Sequence, residues 1–89
     1  MAYRIEFTHR ARKQFKSLPR EVQFRLRPRI ELLAKNPRPR GVKKLADSES
    51  IYRLRDGDHR VVYQVQDKVL VVLVLKIGHR REVYRTPPE

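Results

Sequence analysis

The sequence has no cysteine and no tryptophan, only three glycines, and few carboxylates beside its cations. Without cysteine there are neither disulfides nor thiolate ligands, so the usual Cys/His zinc arrangements are excluded. Three scattered glycines make no phosphate-cradling loop, no two carboxylates share a face, and no serine stands in a nucleophile-elbow context. Hydrolysis through a covalent acyl-enzyme is therefore not expected. The longest apolar run, Val69 to Leu75, is too short to span a bilayer, and the opening MAYRIEFTHRARK lacks the apolar core of a secretion signal. The expectation is a soluble cytoplasmic protein with no membrane partner.

What the chain has in excess is positive charge. Lys and Arg number 22 against 10 Asp and Glu, a formal net charge of +12 over 89 residues. That length suits one small domain, residues 1–89. So self-repelling a charge balance calls for an anionic partner: a nucleic acid first, a membrane surface or an acidic protein second. Hydrophobic residues make up only 39%, yet they fall in periodic clusters, which argues for folding over disorder.

The periodicity gives an order of elements. Tyr3, Ile5 and Phe7 alternate with Arg4 and Glu6, as in a half-buried strand. Thr8 has the character of an N-cap, and Ala11, Phe15 and Leu18 recur at helical spacing over His9 to Leu18. Pro19 suits the first turn of a second helix with Glu21 at its positive end and Val22, Leu26, Ile30 and Leu33 as its buried stripe. The stripe continues in phase through Pro28, which predicts a kink, not a stop; Asn36, Pro37 and Pro39 end the helix. A basic connection, RPRGVKK, leads to strands at Ile51–Arg55 and His59–Gln66. A tight turn at Asp67-Lys68 then precedes a central strand, Val69–Leu75, which Gly78 breaks before a short last strand, Glu82–Arg85. The helical hairpin needs an apolar cover, and only the sheet offers one. The predicted class is α+β, an N-terminal strand and helical hairpin packed on a mainly antiparallel four-stranded sheet.

The chemistry concentrates between Ile51 and Tyr84. On a pleated strand Arg53 and Arg55 point one way and Tyr52 and Leu54 the other; Arg60 stands opposite to Val61, Tyr63 and Val65. Arginines gathered on one wall repel each other unless an anion sits among them, and a phosphate is the natural occupant. Of the three histidines, His79, beside Arg80 and Arg81, is best placed for proton transfer. Fixed cations with an imidazole and a phenol suit phosphoryl transfer. RNA brings its own nucleophile, the 2′-hydroxyl, so neither a metal nor another cofactor is required. The plainer reading, a basic module that binds backbone phosphates without cutting, stands beside it.

The order of elements, with YRIEFT at the start, LP between the helices, YRLRDGDHRVVYQV on the strands and GHRREVYR at the close, resembles the RelE/ParE toxins of toxin–antitoxin pairs, and within them the RelE branch. The resemblance implies a toxin that enters the ribosomal A site against 16S rRNA, cleaves mRNA there and is silenced by a RelB-like antitoxin. It places Arg60 as the phosphate-binding arginine, Arg53 where a relative has a lysine proposed as base, Arg80 at the leaving group and Tyr84 as the tyrosine that stacks on or orients the nucleotide. Arg55, Lys43, Lys44 and Arg81 are the remaining RNA-binding candidates. Arginine at position 53 stays protonated, so a base role passes to His79 or Tyr84. ParE-like relatives that poison gyrase share the fold and the R-x-G-x-R-V-x-Y pattern, which keeps that alternative open.

Overall fold

The computed structural model describes residues 2–45 and 50–79. They run in the order β1 (Arg4–Phe7), α1 (His9–Ser17), α2 (Arg20–Leu32), β2 (Lys43–Lys44), β3 (Ile51–Asp56), β4 (His59–Gln66) and β5 (Val71–His79). The strands lie side by side as β1-β5-β4-β3-β2. β1 pairs with β5 in parallel, and the other ladders are antiparallel. This is the α+β architecture that the periodicity predicts. No helix among the described residues is long and apolar enough to cross a membrane.

Apolar spacing decides what faces what. Ala11 and Phe15 of α1 and Val22, Leu26, Ile30 and Leu33 from α2 and its C-cap pack on Leu54, Val61, Tyr63, Val65, Val72, Val74 and Ile77, with Ile5 and Phe7 of β1 closing one side. The Thr8 hydroxyl accepts from the Ala11 amide at 3.0 Å and donates to the Leu75 carbonyl at 3.0 Å, so one side chain caps α1 and ties it to β5. Pro19 lies one residue ahead of α2, at its N-cap, and not within its first turn. α2 continues through Pro28, which is exposed. It stops at Leu32, earlier than the prolines suggest: the Leu33, Ala34 and Lys35 amides donate three residues back in a tightened turn, and the Ala34 carbonyl accepts the Tyr3 amide at 2.7 Å, while farther on the Pro37 carbonyl accepts the buried Tyr63 hydroxyl at 2.7 Å.

β5 departs most from its expected form. Its register against β4 shifts between Val62↔Lys76 and Tyr63↔Val74, leaving Leu75 without an opposite number. Such a bulge reverses the alternation beyond it. Val72 and Val74 face the helices, and so does Ile77; Lys76 turns to the other side. The Gln14 side chain of α1 accepts the Ile77 amide at 2.8 Å and so satisfies a donor beyond the bulge.

Other boundaries move for local reasons. The turn before β5 spans 67–70, because Leu70 takes a left-handed backbone (φ 56°) while its carbonyl accepts the Arg4 amide at 2.8 Å. Val69 is accordingly 62% exposed and not part of the strand. Gly78 does not break β5: it pairs with Arg60 inside the ladder, and that pairing outweighs the ~1 kcal/mol that glycine costs in a regular element. The basic connection contributes a strand of its own, the two-residue β2, so the described sheet has five strands where four were expected. The last strand expected at 82–85 lies outside the described residues.

Candidate functional site

The sheet has two faces, and the helices cover only one. On the other, pairing aligns Lys43 with Arg53, Arg53 with Val62, Val62 with Lys76, Arg55 with Arg60, and Arg60 with Gly78. Paired residues project to the same side. Lys43, Arg53, Arg55, Arg60 and Lys76 therefore form one cationic wall drawn from four strands.

The wall is built differently from a solvated basic surface. Arg60 and Lys76 are each only 4% exposed, whereas Arg55 and Lys43 are exposed. Removing a guanidinium or an ammonium from water costs several kcal/mol before any pairing repays it. Packing alone would favour apolar residues at such positions. Arg60 is braced at the hairpin, where its Nη1 donates to the Gly57 carbonyl at 3.0 Å and the His59 carbonyl at 3.2 Å. Gly57 takes the positive φ of 60° that opens a two-residue turn, and the turn is held from α2 by Arg25 and Arg29, which approach Asp56 at 3.6 and 4.0 Å. Arg29 also donates to the Arg55 carbonyl at 2.8 Å. Helix α2 thus supports the far end of the wall from behind.

Among the sequence-predicted site residues, the fold brings Arg53, Arg55, Arg60 and Lys43 together. Lys44, paired with Tyr52, falls on the alternate side of β2 and is exposed. His79 is not in a loop. It ends β5 opposite His59, and beyond the bulge it shares the side of Ile77, away from the arginines. The two imidazole rings sit 6.0 Å apart, edge to face. Arg80, Arg81 and Tyr84 lie outside the described residues.

Lys76 is the member that sequence reading misses. Strict alternation from Val72 and Val74 sends it toward the helices, and only the register shift at Leu75 reverses it. The one available signal was a lysine closing an otherwise apolar run, an expensive residue to bury unless it serves something.

Tyr52 and Tyr63 belong to the other face, stacked at 5.8 Å, and burial raises the Tyr63 phenol well above its ordinary pKa. No group of three or more His, Asp or Glu side chains converges among the described residues to hold a metal ion. Fixed donors of one sign on a rigid sheet are suited to grip an oxyanion and to stabilise charge developing on it.

Known proteins share this fold. The family described as the ParE toxin of the type II toxin–antitoxin system parDE matches over residues 5–84. The mRNA interferase toxin RelE of Escherichia coli is 35% identical over 88 residues, covering 94% of this chain and 92% of that one. The isolated E. coli RelE toxin superposes with a TM-score of 0.81 at 32% identity, over 94% of this chain and 93% of the other. RelE in the archaeal RelE–RelB complex from Pyrococcus horikoshii gives 0.79 at 34% identity, over 90% and 97%.

Proposed function

Because the chain belongs to the RelE/ParE family of type II toxin–antitoxin toxins, we propose that it is a ribosome-dependent endoribonuclease that cuts mRNA in the A site and is held inactive by a RelB-like antitoxin. The observation that carries this reading is the cationic wall, with Arg60 and Lys76 buried at its centre.

The reaction needs little covalent chemistry from the protein. The 2′-hydroxyl of the message attacks the adjacent phosphorus, the bond to the 5′-oxygen breaks, and the products are a 2′,3′-cyclic phosphate and a 5′-hydroxyl. One proton leaves the nucleophile and one reaches the departing oxygen. Arg53 and Arg60 hold the non-bridging oxygens and stabilise the charge that grows on them, and Lys76 adds to the same field. Arg80 stabilises the leaving oxygen, and Tyr84 orients the nucleotide. Arg53 stays protonated and so binds without acting as a base. Proton transfer falls to Tyr84 or to His79, and the position of His79 on the opposite side of β5 favours Tyr84. Lys43, Arg55 and Arg81 contact RNA around the cut, while Lys44, exposed on the alternate side of β2, adds only to the general attraction.

Primer extension on a reporter message in a translating extract tests the reading. Breaks on ribosome-engaged message, absent from free message, are expected. The matched family is described as a ParE toxin, and the resemblance to ParE-like relatives that poison gyrase supplies a second reading, gyrase inhibition. Intact message together with trapped gyrase–DNA complexes would establish it instead.

A further inference from the structure

The edge of the cationic wall poses a problem of its own. β2 is two residues long, and its Lys43 stands directly across from Arg53. A ladder that short fixes register weakly, and like charges face to face oppose the pairing. A slip of one residue would turn Lys43 away and bring Lys44 into its place. Something beyond the ladder has to hold this segment.

Arg38, five residues upstream, is where four parts of the chain meet. Its guanidinium donates Nη2 to Asp67 Oδ2 at 2.8 Å and Nη1 to Asp67 Oδ1 at 3.2 Å, while Nε donates to the Tyr52 hydroxyl at 2.8 Å. The same group lies 5.4 Å from the centre of the Tyr52 ring. Asp67 also accepts from the Tyr3 hydroxyl at 2.5 Å, so the turn before β5, the start of β1, the start of β3 and the basic connection share one knot. Next to it, Pro37 is anchored by Tyr63, and Val42 packs on the core. A bidentate fork fixes direction as well as distance, which a single contact does not. The carboxyl of Asp67 is held below its usual range by these partners, Arg38 first and Tyr3 second.

We propose that Arg38 is a positioning residue: gripped by Asp67 and Tyr52, it sets the register of the basic connection so that Lys43 stands beside Arg53 on the RNA-facing wall. The RNA half of this statement rests on the function proposed above; the register half does not.

Asp67→Asn separates positioning from bulk charge, because the two give opposite signs. The substitution raises the formal charge by one above +12, and general attraction alone would tighten RNA binding. Loss of the fork frees Lys43 and weakens it. With the full chain and a fluorescein-labelled single-stranded RNA, affinity is expected to fall about threefold to tenfold, and the dependence of log K on log salt to flatten by about 0.7, the share of one phosphate contact. In a Lys43→Ala background the same substitution should cost nothing further. Arg38→Ala should repeat the loss and Arg38→Lys recover part of it. Hydrogen exchange is the companion measurement. In Asp67→Asn the amides of residues 43–45, including the Leu45 amide that donates to Ile51, should exchange at least about tenfold faster while β4–β5 keeps its protection. RNA binding as tight as the parent's, or unaltered exchange at 43–45, overturns the proposal. If the parent chain binds no RNA, the functional reading fails, and exchange alone decides whether Arg38 sets the register.

Discussion

Arg60 and Gly78 face each other across the β4–β5 ladder, so the buried arginine stands beside a strand position with no side chain of its own. A valine there would place a branched side chain about 5 Å away, on the face where the proposed site would seat a phosphate beside the guanidinium. Gly78→Val should lower the cleavage rate about tenfold to a hundredfold while preserving β5, since valine favours strands. Single-turnover cleavage and thermal unfolding, measured together, separate the two effects.

Charge alone does not explain the choice of arginine at 60. Nη1 reaches two carbonyls of the hairpin, which fixes the direction in which the planar group is presented. Lysine keeps the charge but supplies neither the fork nor its fixed direction. Arg60→Lys should therefore recover only a minor part of the activity lost in Arg60→Ala. Full recovery in a cleavage assay would mean that the site uses a point charge.

The bulge at Leu75 puts Lys76 on the wall, and Gln14 is its brace. Gln14→Leu leaves the Ile77 amide without its acceptor and should cost about 1–3 kcal/mol in denaturant unfolding. RNA affinity should fall as well, because Lys76 loses its fixed direction. An unchanged midpoint would show that the bulge holds without α1.

Two titrations bear on stability, with opposite signs. Asp67 has a folded pKa below its ordinary 3.8, owing to Arg38 and then Tyr3. Its contribution is present above the unfolded value and is lost as pH falls through the folded one, so Asp67→Asn should flatten the stability profile below about pH 4. Tyr63 is the reverse case: burial raises its phenol above the ordinary 10.0. Its contribution is complete below that value and declines as pH rises beyond it, and Tyr63→Phe should remove the decline. Urea midpoints across both ranges check the two signs.

Much of this was legible in the chain. The stripe Val22, Leu26, Ile30 and Leu33, the Thr8 cap and the strand His59–Gln66 follow from spacing alone, because burial imposes one period on each element. Arg53, Arg55 and Arg60 could be put on one face for the same reason. Lys76 and His79 could not, since an apolar run at every position carries no phase and hides a register shift. Nor could the Arg38–Asp67 fork, which joins residues 29 apart in sequence through side chains with no periodic signature. The pairing of Lys43 with Arg53 escaped notice because a two-residue strand is too short to leave a pattern.

The most direct test compares the parent chain with Arg60→Ala on one translated reporter message, reading breaks by primer extension and folding by circular dichroism. A cationic wall that grips the scissile phosphate predicts breaks on ribosome-engaged message from the parent, and about a hundredfold to a thousandfold fewer at the same positions from a folded Arg60→Ala. Equal cutting by the two proteins, or no cutting by the parent, would contradict it.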